Sequence, residues 1–137
     1  MNQNYEKYKT LMQKIADINY SSAVLAWDQE TYMPPKGAEV RANQLSTLAG
    51  ISHELSVSKE LGDLLDILSK DNSLSEKEKR NAKQSLKDYN DRKKYTTEFV
   101  QEMSRTVSEA FQGWQKAKTE NNFSVFAPKL EKLVKLK

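Results

Sequence analysis

Two adjacent prolines, Pro34 and Pro35, constrain this chain more than any other feature. Proline has no backbone N–H to donate, and it pushes the residue before it, here Met33, out of the α region. Apolar residues recur at helical spacing on both sides, so the chain must turn a corner at this point. Lys36 and Gly37 complete the turn. A new helix starts near Ala38, with Glu39 in its first turn at the positive end of the helix dipole. Val40, Leu45, Leu48, Ala49, Ser52 and Leu55 then follow helical spacing. Upstream, Ala23 to Trp27 is an apolar run far shorter than the about 20 residues of a membrane span. It reads as a short buried helix.

The same reading applies along the rest of the chain. With four glycines, three prolines and no period-2 alternation, the sequence predicts an all-α fold. Asn4 to about Tyr20 is the first helix, with Tyr5, Tyr8, Met12, Ile15 and Ile18 on one side. Ser21-Ser22 either breaks it or only kinks it. Ser58 is the expected N-cap of a short helix carrying Leu61, Leu64, Leu65 and Leu68. Ser75 and Glu78 have the spacing of a capping box. They open a polar helix to about Lys94, whose thin stripe of Ala82, Leu86 and Tyr89 predicts a single neighbour. Thr96 or Thr97 caps the next helix. There Val100, Met103, Val107, Ala110, Trp114 and Ala117 form a heptad-like stripe that needs a helical partner. The helices opened by Ser75 and Thr97 are expected to pair as an antiparallel hairpin. A last helix starts near Ser124, with Pro128 in its first turn. About six helices result, arranged as hairpins or a bundle, elongated, in one region spanning 1–137. Residues 1–70 form a first half with the Trp27–Pro35 corner, and residues 71–137 the long hairpin and a last helix.

A chain of 137 residues fits one domain. Its apolar fraction is 37% and its charged fraction 30%, which suits long helices with wet outer faces. The formal charge of +3 comes from interspersed signs, so no strong field and no nucleic-acid partner are implied. No cysteine is present, which excludes disulfides and thiolate metal sites. The N-terminus has no apolar signal core, and no run is long enough for a membrane span. A cytoplasmic location is the expectation.

The candidate chemistry is sparse. His53-Glu54 resembles the start of a zinc-binding His-Glu-x-x-His helix, but the residue four after His53 is Val57, and there is no second histidine. A helix-end or surface histidine is the expectation. Asp28 and Glu30, two apart, do not converge on one helix face for acid–base work. Asp28 is instead expected to cap or hydrogen-bond the corner, while Trp27 anchors it in the core with its indole N–H paired to Asp28 or Gln29. Arg41 is expected to pair with Glu39, Glu54 or Asp28. Residues 77–94 hold six Lys and two Arg beside few aromatics, so they read as a solvated face. No catalytic, cofactor-binding or metal-binding residue is assigned.

Three segments together carry a resemblance. They are Trp27-Asp28-Gln29-Glu30-Thr31-Tyr32-Met33-Pro34, then Arg41-Ala42-x-Gln44-Leu45-x-x-Leu48-Ala49, then His53-Glu54-Leu55. In this order and spacing the chain resembles the N-terminal region of the carboxypeptidase Taq family of thermostable metallocarboxypeptidases. Phe126-Ala127-Pro128-x-Leu130-x-x-Leu133-Val134-x-Leu136 is similar to a later family segment, while residues 70–95 match only in helical character. Family members are several times longer. The resemblance therefore implies the opening part of a larger all-helical enzyme that releases C-terminal residues from peptides. Its zinc, or another divalent ion, would be held by motifs downstream of this region. This chain would form a wall or cap of the substrate groove and be inactive alone, with the downstream part as its partner and a dimer as its assembly. The other expectations are a free-standing helical interaction module using the Val100–Trp114 stripe, and a self-associating chain.

Overall fold

The computed structural model describes residues 2–137, which form six α-helices and, among the described residues, no strand. Helix α1 spans Gln3–Thr31, capped by the Asn2 side chain, which accepts from the N–H groups of Asn4 and Tyr5. It runs unbroken through Ser21-Ser22, so the separate short helix expected at Ala23–Trp27 is its continuation. The Ser21 and Ser22 hydroxyls donate back to the Asp17 and Ile18 carbonyls at 2.9 and 3.0 Å, which satisfies them inside the helix rather than at a break. The Asp28 carbonyl then accepts from the N–H groups of both Tyr32 and Met33, and a single 3₁₀ turn, Pro35–Gly37, leads into α2, Ala38–Ser56.

The remaining boundaries follow local chemistry. Ser58 caps α3 (Lys59–Ser69). Ser75 and Glu78 form the reciprocal capping box of α4 (Glu76–Arg92). Thr96 caps α5 (Thr97–Thr119). Helix α5 ends in a Schellman turn, with Asn121 at φ 48° and the N–H groups of Asn121 and Asn122 bonded to the Lys118 and Ala117 carbonyls. Asparagine tolerates this left-handed conformation better than most residues. Helix α6 (Ala127–Leu136) keeps Pro128 in its first turn, where its missing N–H costs no hydrogen bond.

Two bundles share α1. In the first, Tyr5, Tyr8 and Ile15 of α1 pack with Leu61, Leu65 and Leu68 of α3, with Leu74 just before α4 and with Ala82 within it. The Tyr5 hydroxyl accepts from Asn81 at 3.1 Å, and the Tyr8 hydroxyl meets Ser85 Oγ at 2.7 Å. Burial pushes the Tyr8 phenol above its ordinary pKa. In the second bundle α2 lies along α5, and α6 covers another side of α5. The residues buried on the two helices are mostly small: Ala42, Ser46 and Gly50 on α2, of which Ser46 and Gly50 meet Gln101 of α5, and Ala110, Gly113 and Ala117 on α5, of which Gly113 faces Lys129 of α6. Small side chains let two helix backbones approach closely.

This pairing corrects the expected antiparallel hairpin. Helix α4 packs on α3, and α5 packs on α2, so α4 and α5 do not run along each other. Helix α5 finds its partner in α2 instead, with Gln101 against Ser46 and Gly50, and Val107 and Trp114 of the expected stripe are left exposed. Val40 of α2 is likewise exposed, because the small residues rather than the larger apolar ones face α5.

Candidate functional site

The corner after α1 is held by Arg41. Its Nη2 pairs with Asp28 Oδ2 at 2.6 Å, its Nη1 donates to the Leu25 carbonyl, and its Nε donates to Gln44 Oε1 at 3.1 Å. Of the three carboxylates that its charge could have met, Asp28 is the partner. A planar guanidinium can serve three acceptors in fixed directions, which ties α2 to the last turns of α1 across the prolines. Asp28 therefore braces the corner twice, by side chain and by carbonyl. Glu30 points elsewhere and is exposed, so the two carboxylates do not share a site.

Trp27 does not anchor this corner in the core. It is 58% exposed and packs edge-on against the exposed Tyr32, with ring centroids 5.7 Å apart. The reason is rotational. Asp28 and Leu25 turn towards α2, and Trp27 lies across the helix from them. Tyr20, Val24 and Trp27, at i, i+4 and i+7, form an outward apolar line on α1.

Between the second half of α1 and α5 runs an open groove of about 410 Å³, lined by Ala23, Ala26 and Glu30 from α1 and by Ser104, Val107 and Phe111 from α5. Ser108 Oγ donates to Gln29 Oε1 at 2.6 Å on its floor. The groove continues past Gln29 and Glu30 towards Gln112, Gln115 and Lys116. No spacing rule in the sequence joins Gln29 to Ser108, which is why this contact was not anticipated.

His53 is neither on the surface nor placed for a metal. It sits in the last turn of α2, 7% exposed, with Nδ1 3.0 Å from Thr97 Oγ1 and Nε2 3.2 Å from the Arg92 carbonyl. The carbonyl can only accept, so Nε2 carries a proton and donates to it. Glu54 is exposed. Among the described residues no group of three or more His, Cys, Asp and Glu side chains stands together as a metal site. The one imidazole is committed to protein partners and the nearest braced carboxylate to Arg41. This donor set does not fit a divalent ion. The basic residues between 77 and 94 lie largely outside, with Lys79 and Lys94 paired to Glu76 and Asp91 and Lys93 set over the Tyr89 ring.

Comparison with known proteins agrees with this layout. Residues 7–137 match the family described as carboxypeptidase Taq (M32) metallopeptidase. Carboxypeptidase 1 of Bacillus subtilis is 30% identical over 132 residues, which cover 95% of this chain and 26% of that protein. The BsuCP crystal structure superposes with a TM-score of 0.94 at 27% identity, over 98% of this chain and 27% of its own. The structure of CHT is 44% identical with a TM-score of 0.72, over the same shares. The chain thus spans about a quarter of the length of these relatives. With a family match over almost its entire length and the same all-helical architecture, this chain belongs to the carboxypeptidase Taq (M32) metallopeptidase family.

Proposed function

We propose that this chain serves in the release of C-terminal amino acids from peptides, as the helical wall of a metallocarboxypeptidase substrate groove. The observation that carries this reading is the family match from residue 7 to residue 137, together with a shape shared at a TM-score of 0.94 with about a quarter of a relative. The relatives named carboxypeptidase extend well beyond the matched quarter, and their further residues are the partner this reading requires. The divalent ion belongs with those residues, since the side chains here do not form a set for one. Zinc is the expected ion. The contribution of this chain is shape: a braced corner at Asp28 and Arg41, and the open face of α1 and α5.

A chimera tests this. The matched 132 residues of Bacillus subtilis carboxypeptidase 1 are replaced by this chain, and release of C-terminal residues from peptides is followed with and without added divalent ions. Metal-dependent release by the chimera, and none by the 137-residue chain alone, is the expected result. Metal-dependent release by the 137-residue chain itself would overturn the reading.

A second reading, a self-associating helical module, has one observation in its favour. The line of Tyr20, Val24 and Trp27 is apolar and exposed.

A further inference from the structure

The two bundles are joined at one level of the molecule. The chain passes between them three times: within α1 near Ser21-Ser22, between α2 and α3 at Val57-Ser58, and between α4 and α5 across residues 93–96. Two of the three crossings are breaks between helices, and the third, inside the unbroken α1, carries paired serines of the kind that bend helices. Ser21 and Ser22 both bond back to carbonyls four residues earlier, the arrangement that bends helices, and paired serines are a recurrent kink site. The other two crossings are helix ends, the positions that absorb φ/ψ change in hinged proteins.

A set of buried polar contacts fastens this same level. The His53 imidazole donates to the Arg92 carbonyl at the end of α4 and meets the Thr97 hydroxyl at the start of α5. Arg92 returns the contact, its Nη1 donating to Ser56 Oγ at 3.1 Å. One residue before His53, Ser52 Oγ donates to Asn19 Oδ1 at 2.7 Å, on the turn of α1 just before the paired serines. Ser52, His53 and Ser56 are each at least nine-tenths buried, and apart from this last turn α2 makes little contact with α4. Apolar packing holds each bundle together internally. Across the joint, Leu55 of α2 also packs on the first core, and the directional hydrogen bonds add to that contact.

We infer that the two bundles form a hinged pair, with the three crossings as the hinge and His53 as the latch that sets their angle. Loss of the imidazole removes the contact to the Arg92 carbonyl across the joint and leaves the Tyr8–Leu65–Ala82 core of the first bundle intact. Relatives of similar coverage differ in shape by more than their identities track, with a TM-score of 0.94 at 27% identity and 0.72 at 44%. The inference concerns this chain alone and does not depend on the carboxypeptidase reading.

Spin-label distances test it, and the absence of native cysteine makes labelling clean. Cysteines replacing the exposed Lys83 on α4 and Lys116 on α5 report across the joint. Cysteines replacing Lys70 and Lys83 report within the first bundle. His53→Ala is expected to broaden the cross-joint distance distribution about two-fold, as a sub-global opening would, and to leave the within-bundle distribution unchanged. An unchanged cross-joint distribution, or equal broadening of both, overturns the inference. Should His53→Ala not fold, Ser56→Ala removes only the Arg92–Ser56 contact across the joint and decides in its place. A smaller broadening confined to the cross-joint pair is then expected, and no change overturns the inference.

Discussion

At the scale of single residues, Arg41 illustrates how one side chain sets a corner. Its side chain is 13% exposed and serves three acceptors on two helices. Arg41→Leu strands Asp28 and the Leu25 carbonyl, and is expected to lower stability by about 1–3 kcal/mol, read from the urea midpoint. Arg41→Lys recovers only part of this, because an ammonium cannot reproduce the planar fork. Glu78 gives a pH dependence of known sign. The Ser75 hydroxyl and N–H donate to Glu78 Oε2 at 2.7 and 2.8 Å, and the hydroxyl first, then the N–H, hold its carboxyl below the ordinary value of 4.5. A carboxyl with a depressed folded pKa stabilises the fold above its unfolded value. That contribution is lost as pH falls through the folded value. Glu78→Gln is therefore expected to lower the urea midpoint at neutral pH, and the gap to the native chain to close well below pH 4.5. The pairing of Ser75 with Glu78 was legible from their three-residue spacing. The choice of Asp28 over Glu39 or Glu54 was not, since only the corner's geometry brings the end of α1 back onto Arg41.

At the scale of helices, the α3–α4 and α5–α6 contacts differ at their glycines. A Cβ at Gly62 would lie 2.4 Å from the Tyr89 hydroxyl and 2.7 Å from the ring carbon that bears it. The ring is rigid and packed on the first core, so Gly62→Ala is expected to destabilise by about 1–3 kcal/mol. A Cβ at Gly113 would meet the Lys129 methylenes at 2.4 and 2.8 Å, and these belong to a flexible, half-buried chain that can swing aside. Gly113→Ala is expected to stabilise by about 0.5–1 kcal/mol through helix propensity, and thermal unfolding of the two variants should shift in opposite directions. Caps were the most legible part of the fold: Ser58, Ser75 and Thr96 act within three residues of themselves. The stop at Ser21-Ser22 was ambiguous because a serine hydroxyl can end a helix or bond back into it, and nothing local distinguishes the two.

At the scale of the molecule, the outward line of Tyr20, Val24 and Trp27 is the main apolar feature of α1 left without a partner in the chain. Trp27→Lys is expected to leave the urea midpoint within about 0.5 kcal/mol of the native chain, as an exposed substitution should. If this line drives self-association, light scattering of the native chain rises with concentration and that of Trp27→Lys does not. A flat response from both leaves the groove-wall reading without its competitor.

What the sequence settled by itself was local: that the chain is helical, where most helices start, and that Pro34-Pro35 forces a corner. These follow from backbone chemistry acting over about four residues. The family resemblance was equally legible, because it rests on residues in order. Only the tertiary structure decided which helices meet. Apolar periodicity marks a face that needs covering and does not say what covers it, so α5 was free to choose α2 over α4. The α2 face it chose buries alanine, serine and glycine, residues whose value lies in how closely they let a neighbour approach, and that carries almost no hydropathy signal. The same geometry turned Trp27 outwards and buried His53 between three helix ends.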